Sequence, residues 1–166
     1  EGNLGLPAYR ETFREDSDMW TLDTGRNAAR TIAGGVLTIR VDEEDLMQWS
    51  TLDANYADFY LEVDTAHVAG PVDNLLGVVF RMEDAENFYL FMISSDGAYS
   101  LGKYVADKWF SLVEWESTDA IETGAGGENR LGLLAADNEM ALYINNEELT
   151  RVQDDSFAAG QIAGPL

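Results

Sequence analysis

The stretch LLGVVFRMEDAENFYLFMISSDGAYSLGKY (75–104) decides the fold class of this chain. Two runs within it, LLGVVFRM (75–82) and NFYLFMIS (87–94), are apolar on both faces of a strand. Such strands lie in the middle of a sheet and are covered on both sides, or one of their faces lines a groove. SSDG (94–97) is a hairpin turn signal. The stretch therefore predicts central strands joined by tight turns.

The rest of the chain repeats this pattern of short β-rich runs separated by Gly, Asn and Asp every 8–12 residues, and helical periodicity is nearly absent. This spacing is typical of an all-β sandwich or barrel. We predict one domain over residues 1–166. The predicted strands are 9–14, 28–32, 35–41, 47–50, 57–66, 75–82, 87–95, 98–105, 108–115, 129–136, 139–145 and 148–153, with a closing strand near 160–165.

Composition restricts the kinds of partner. The 166 residues include 31 acidic and 10 basic side chains, no cysteine, and a formal net charge of −21. Such a field repels nucleic acid and anionic lipid. It suits a neutral or cationic ligand, a divalent cation or a salty exterior, or it serves solubility alone. No apolar run reaches the roughly 20 residues that span a bilayer, and any signal or anchor is expected to have been removed or to lie outside this chain.

The run DFYLEVDTAH (58–67) raises the question of catalysis. Its alternation points Glu62 and Asp64 to one face. The pair is similar to the E-x-D-x-x-E signature of a glucanase group with a concanavalin-like sandwich, in which the last Glu is the acid/base. Here the corresponding positions hold Ala66, for a regular strand, or His67, for a bulged one. Neither is a carboxylic acid, so we expect no glucanase activity.

His67 is the only histidine, and the chain has neither a cysteine nor a G-x-S-x-G elbow. Nucleophilic triads and histidine-rich zinc sites are therefore not expected. We predict a surface or hydrogen-bonded structural role for His67.

Several spaced segments together resemble the laminin-G-like, concanavalin A-like jelly-roll domains of bacterial surface and secreted proteins, which are related to the domain of 3-keto-disaccharide hydrolases. The resemblance implies an all-β, two-sheet antiparallel jelly-roll sandwich of about 12–13 strands, with one sheet curved to give a concave face. In sugar-binding members that face or its rim carries the site. The segments, in order, are YRETFREDSDMW (9–20), DFYLEVD (58–64), GVVFRMEDAENFYLFMISSDGAYSLGKY (77–104), KWFSLVEW (108–115), ENRLGLLAADNEMALYINNEEL (128–149) and VQDDSFAAGQIAG (152–164).

Sugar recognition needs a flat aromatic ring and planar polar groups. The predicted ligand-binding residues are Asn74, Arg81, Asn87, Tyr89, Tyr99 and Trp109. Arg81 would face Phe88 or Asn87, depending on the length of the turn. The alternative is that many of these side chains fill the core, or that Arg81 only pairs with a neighbouring acid.

Calcium is the second predicted ligand, since it binds six to eight oxygens from carboxylates, carbonyls and amides. In related jelly rolls the first and last strands lie side by side and often share a structural calcium. The resemblance therefore implies a site at Glu11, Asp16, Asp18 and Asp154. The alternative is solvated, mutually repelling charge.

The leading hypothesis is a non-catalytic extracellular or cell-surface module that binds a glycan or polysaccharide or acts in adhesion. The alternative is a structural or protein-interaction subunit of a surface layer or filament, with other surface proteins or a second copy as partners. A sugar hydrolase is the third hypothesis. Neither nucleic-acid binding nor membrane insertion is expected of this chain.

Overall fold

The computed structural model describes residues 6–15, 18–22, 26–44 and 46–164. These residues form twelve strands and no helix, and none of them therefore forms a helix able to cross a membrane. The strands are β1 (Ala28–Ala33), β2 (Val36–Val41), β3 (Ser50–Tyr56), β4 (Phe59–Ala66), β5 (Leu75–Asp84), β6 (Asn87–Ser94), β7 (Ala98–Val105), β8 (Lys108–Ser117), β9 (Glu128–Ala136), β10 (Glu139–Ile144), β11 (Glu147–Gln153) and β12 (Gly160–Gly164).

The strands pair antiparallel in two main sheets. One has six strands in the order β3-β12-β5-β6-β7-β8, and the other has four in the order β11-β10-β9-β4. β1 and β2 form a separate hairpin. This architecture confirms the predicted all-β, two-sheet antiparallel sandwich and its strand number.

The main core lies between the two sheets because alternate residues of each strand point to the same side. Phe80, Tyr89 and Leu101 from the six-stranded sheet share this core with Leu133 and Leu142 from the four-stranded sheet, and all five are fully buried. Burial of apolar surface at about 25 cal/mol per Å² makes this layer the main stabilising contribution.

A second apolar cluster explains why the 75–104 stretch is apolar on both faces. Val79, Phe88 and Leu90 point away from the main core and are nevertheless buried. Met47 and Trp49, which precede β3, pack against this cluster. The central strands are therefore covered on both sides, as predicted.

Three predicted elements differ from the structure. Residues 9–14 form no strand; the Glu11 carboxylate instead accepts bonds from the Thr12 and Phe13 amides at 2.8 Å, and Phe13 has a φ of 52°. The strand predicted at 47–50 begins only at Ser50, because Met47 and Trp49 pack against the second apolar cluster. The strand predicted from residue 57 begins at Phe59, since 57–58 form a bend.

The late hairpin confirms a smaller prediction. Asn145 and Asn146 have φ values of 50° and 69°, both in the left-handed region that asparagine tolerates. They form the two-residue turn between Ile144 and Glu147, which pair across it. A two-residue hairpin of this kind takes positive φ at both positions, and the asparagines supply it.

Candidate functional site

The outward face of the four-stranded sheet carries an ordered set of polar and aromatic side chains. β4 pairs with β9 without a register shift, which places Asp64 opposite Arg130 and Glu62 opposite Gly132. β10 continues the row with Tyr143 opposite Gly132. Since residues two apart share a face, side chains from separate strands meet here.

Arg130 holds the two carboxylates that resembled a catalytic pair. Its Nε and Nη2 donate to Asp64 Oδ1 and Oδ2 at 2.7 and 3.0 Å, and its Nη1 lies 4.0 Å from Glu62 Oε2. Hydrogen bonds from this guanidinium lower the pKa of Asp64 below its usual value. The bidentate contact fixes the plane of the guanidinium, which still has 44% of its side-chain surface exposed.

Two tyrosines meet over a glycine in the middle of this face. The Tyr60 and Tyr143 rings lie edge to face, with centroids 6.1 Å apart at 78°. A Cβ at Gly132 would lie 3.0 Å from Tyr143 Cβ and 3.1 Å from the Tyr60 hydroxyl oxygen, so the glycine lets the rings approach the sheet. The Tyr60 hydroxyl donates to Glu62 Oε1 at 3.0 Å; burial and this bond raise the pKa of Tyr60 to about 12.

Arg151 organises the other end of the face. It donates through Nη1 to Glu139 Oε1 at 2.7 Å, through Nη2 to the Tyr143 hydroxyl at 3.2 Å, and through Nε to Glu148. The Tyr143 hydroxyl in turn donates to Glu148 Oε2 at 3.2 Å. We call the whole set the tyrosine–arginine face, which consists of Tyr60, Glu62, Asp64, Arg130, Gly132, Glu139, Tyr143, Glu148 and Arg151.

The face presents oriented donors and acceptors beside two aromatic rings. Each arginine is positioned by carboxylates, yet both remain 44% exposed. Hydroxyl groups of a ligand can accept from guanidinium and tyrosine and donate to carboxylate oxygens. Ring edges and faces can contact C–H groups. This combination matches polyhydroxylated molecules.

The acid pattern of the glucanase signature is incomplete on β4. β4 is regular, so Ala66 occupies the next position on the face that holds Glu62 and Asp64, and β4 itself supplies no third acid. A glycosidic general acid needs a raised pKa, whereas that of Asp64 is lowered. His67 is buried; its Nε2 lies 2.9 Å from the Ala69 carbonyl oxygen, and its Nδ1 has no hydrogen-bond partner.

The structure does not assemble the six predicted ligand-binding residues into one accessible patch. Arg81 is only 1% exposed and lies in a β-bulge, between the pairs Phe80–Tyr89 and Asp84–Asn87. Its guanidinium donates to three backbone carbonyls, and it does not pair with the adjacent acids of its own turn. It bonds instead to the β3–β4 turn, the β9–β10 turn and the segment before β12.

Tyr89 and Tyr99 are buried in the main core. The Tyr89 hydroxyl donates to Asp154 Oδ1 at 2.6 Å, and that of Tyr99 to Glu116 Oε2 at 3.0 Å. Both rings therefore fill the core, while the Tyr89 hydroxyl bonds to the segment after β11 and the Tyr99 hydroxyl bonds to β8.

The other three predicted residues keep exposed surface but are dispersed. Asn87 binds Asp84 and accepts from the Ala106 amide at the β5–β6 end of the sheet. Asn74 lies near the opposite end, where its carbonyl accepts from the Ser95 amide at 3.3 Å. Trp109 is 37% exposed on β8.

The four predicted calcium ligands are also placed separately, as far as the structure describes them. Asp154 accepts from Lys103 Nζ and Tyr89; although burial raises its pKa, these bonds lower it to about 2. Glu11 accepts from the Tyr9 hydroxyl at 2.9 Å. Asp18 borders an open depression with Trp20 and Asp53, and Asp16 lies outside the described residues. Among the described residues no three acidic or histidine side chains form a group able to hold a metal ion.

Sequence reasoning missed most of the tyrosine–arginine face. Of its residues, only Glu62 and Asp64 are candidates from the sequence pattern. EMALYI (139–144) alternates so that Glu139 and Tyr143 share a face, a usable signal. The register that brings Arg130 next to Asp64 could not be read from local sequence.

Comparison with solved structures gives the fold its class. The chain is similar to the carbohydrate-binding module CBM66 from Bacillus subtilis, with a TM-score of 0.71 and 21% identity over 87% of this chain and 85% of that one. It is also similar to a β-1,3-1,4-glucanase (lichenase) derived from a mouse hindgut metagenome, with a TM-score of 0.66 and 12% identity over 93% and 82% of the two chains. Sheep galectin-11 matches with a TM-score of 0.51 and 13% identity over 70% and 86%.

These neighbours are concanavalin A-like jelly-roll proteins, and the present chain has that fold, as the sequence resemblance implied. The fold is one shared by carbohydrate-binding modules, galectins and glucanases. No protein-family model matches the chain, and the comparison with curated proteins finds no match.

Proposed function

We propose that this protein is a non-catalytic carbohydrate-binding module, outside the cell or at its surface, that binds a neutral polysaccharide through the tyrosine–arginine face. The observation that carries the proposal is the packing of Tyr60 against Tyr143 between two carboxylate-positioned arginines. Preorganised planar donors beside aromatic rings lower the cost of ordering side chains on binding.

Charge narrows the ligand class. The face sets two arginines against four carboxylates, Glu62, Asp64, Glu139 and Glu148, and the chain carries −21 overall. Uronate or sulfate groups would therefore be repelled. A neutral glycan meets no such barrier, and its hydroxyls fit the mixed donors and acceptors.

The test compares binding of neutral and acidic polysaccharides by affinity electrophoresis, followed by calorimetry with a short neutral oligosaccharide. We expect Tyr60→Ala and Arg130→Met each to weaken binding by about ten- to a hundredfold, a loss of roughly 1.4–2.8 kcal/mol. Arg40→Met is the matched control, because Arg40 is exposed on β2 and pairs only with Asp42 among its described contacts.

Two results would overturn the proposal. One is the absence of binding to every neutral polysaccharide tested. The other is release of reducing ends from a bound glycan that stops in Glu62→Gln, since that result would establish a hydrolase.

A structural or protein-interaction role is the second candidate function. The observation that favours it is separate from the tyrosine–arginine face: strand β8 at the edge of the six-stranded sheet exposes three aromatic side chains, Trp109, Phe110 and Trp115. Exposed aromatic surface on a sheet edge is typical of an interaction site.

A further inference from the structure

We infer that β8 is a self-complementary edge through which two copies of this chain pair, antiparallel, into a two-fold symmetric dimer. The two edges of the six-stranded sheet differ. β3 is covered by residues 19–21. The Thr21 amide donates to the Thr51 carbonyl, the Asp53 amide donates to the Met19 carbonyl, and Trp20 and Leu52 form an isolated bridge. β8 is the other edge.

β8 carries the exposed aromatic surface of the described chain. Its large exposed hydrophobic residues are Trp109, Phe110 and Trp115, at 37%, 48% and 45%. The other large exposed hydrophobic residues described are aliphatic and scattered over loops and other strands. An uncovered edge that also exposes apolar side chains is the feature that strand addition uses.

The β7–β8 hairpin determines which β8 backbone groups point outward. Val105 and Lys108 flank a two-residue turn with positive φ at Ala106 and Asp107, so they form its hydrogen-bonded pair. The backbone groups of the next residue, Trp109, consequently point away from β7.

The same reasoning fixes the other end of β8. Tyr99 and Val105 are an even number of residues apart on β7, so their backbone groups point to the same side. Tyr99 pairs with Glu116. The Glu116 backbone therefore faces β7, and that of Trp115 points away. Glu116 also shares a side with the core-facing Tyr99, to whose hydroxyl it is bonded.

Two copies of KWFSLVEWES (108–117) match each other when they run antiparallel about residue 112. This register places Trp109 opposite Trp115 of a second copy, and the backbone groups of both residues point away from β7, toward the other copy. It also places Lys108 opposite Glu116, whose backbone groups both face β7. Aromatic pairs and opposite charges at facing positions each stabilise a strand pair. The symmetry repeats both contacts.

Two features oppose the pairing and shape it. β8 has one extra residue relative to β7 between Ser111 and Val113 and another between Val113 and Glu116, so its ladder with β7 is irregular from 111 to 116. The dimer is therefore expected to rest on two Trp109–Trp115 and two Lys108–Glu116 contacts at its ends rather than on a continuous ladder. The net charge of −21 repels at long range, but at physiological salt this repulsion is screened beyond about 8 Å.

The pairing has a consequence for glycan binding that rests on the proposed function. The two-fold axis of an antiparallel strand pair is perpendicular to the sheet, so both four-stranded sheets lie on the same side. Two tyrosine–arginine faces would then meet one polysaccharide surface together, which raises apparent affinity without any new contact.

Sedimentation velocity of the full chain over a wide concentration range tests the dimer. We expect a species of twice the 18.3 kDa monomer mass at high concentration. Lys108→Glu and Glu116→Lys should each weaken dimerisation about tenfold or more, because like charges then face each other twice. The double variant, Lys108→Glu with Glu116→Lys, should restore it.

Glu114→Lys is the matched control, since it changes the same charge on the same strand opposite Phe110 and not opposite Lys108. Thermal melts verify that each variant is folded. A monomer at every concentration, a dimer that survives Lys108→Glu, or a double variant that stays dissociated would each overturn the inference.

Binding of a short oligosaccharide separates this inference from the proposed function. Lys108→Glu should leave that affinity unchanged, because the tyrosine–arginine face lies on the other sheet, while retention on the polymer falls. If the wild type binds no oligosaccharide, that result counts against the glycan site alone and leaves the dimer test intact.

Discussion

Arg81 is the largest fully buried side chain of the described residues. Its Nε and Nη2 donate to the Ala57 carbonyl at 3.0 and 2.8 Å, and its Nη1 donates to the carbonyls of Asp137 and Phe157 at 2.8 and 3.2 Å. Asp58 Oδ1, 3.4 Å from Nη2, supplies a partial countercharge. One guanidinium therefore joins the β3–β4 turn, the β9–β10 turn and the segment before β12.

Replacing Arg81 tests this structural role. Arg81→Lys keeps the charge but loses the planar fork, and it leaves buried carbonyls without donors, so we expect a loss of about 3 kcal/mol in the free energy of unfolding. Urea unfolding measures it. Arg40→Lys, at an exposed arginine, should change stability by less than about 0.5 kcal/mol. Equal stability of the two variants would contradict the role.

Asp154 is a partly buried polar centre, and its charge predicts a pH dependence. It accepts from Lys103, from the Tyr89 hydroxyl and from the Ser156 amide. These bonds lower its pKa from 3.8 to about 2 against the opposing effect of burial. A lowered folded-state pKa gives stability that is complete above the unfolded value and is lost as pH falls from about 4 to about 2.

Asp154→Ala should therefore lower Tm by roughly 5–10 °C near neutral pH, from a loss of about 2–3 kcal/mol. The difference from wild type should shrink as pH falls from about 4 to about 2, when the native aspartate protonates as well. Asp155→Ala, at the exposed neighbour, is the control. A Tm difference that stays constant with pH would contradict the ion pair. The proposed calcium site that includes Asp154 stays a prediction, to be tested by melting with calcium and with chelator.

At the scale of elements, the β10–β11 hairpin combines a local turn with long-range contacts. Asn145 accepts from the Arg130 amide at 2.8 Å through Oδ1, and its Nδ2 donates to the Ala120 carbonyl at 2.8 Å. Asn146 is exposed and has only the conformational requirement of its φ of 69°. The two asparagines are therefore not equivalent, although both satisfy the turn.

Because Asn146 has only its positive φ to satisfy, two substitutions at this position should have opposite effects. Asn146→Gly should be neutral or stabilise the protein by a few tenths of a kcal/mol, because glycine is preferred at the second position of such a turn. Asn146→Ala should destabilise it by about 1 kcal/mol, since alanine is strained at positive φ. Chemical denaturation distinguishes the two. Equal midpoints for both variants would contradict the assigned turn geometry.

The positions of the central strands are the structural feature that the sequence predicts best. β5, β6 and β7 were expected at nearly the observed bounds because their apolar runs and turn residues are local signals. The strand predicted at 9–14 was wrong, since its side chains bond to their own backbone and to Trp20. Local alternation does not report such competing contacts.

At the scale of the whole molecule, the two sheets separate two kinds of surface. The four-stranded sheet exposes the tyrosine–arginine face, and the edge of the six-stranded sheet exposes the aromatic side chains of β8. The buried core lies between them. A ligand on one surface and a second copy on the other would therefore not compete.

The sequence by itself determined the fold class, the approximate strands and the broken catalytic pattern, because alternation, turn residues and the identities of Ala66 and His67 are local properties. It also determined the charge that disfavours anionic partners. The tertiary structure alone decided that Arg81 and Tyr89 are buried and that Arg130 pairs with Asp64. Those outcomes depend on strand register and on sheet packing, which bring together residues as far apart as Asp64 and Arg130. No local pattern encodes that distance.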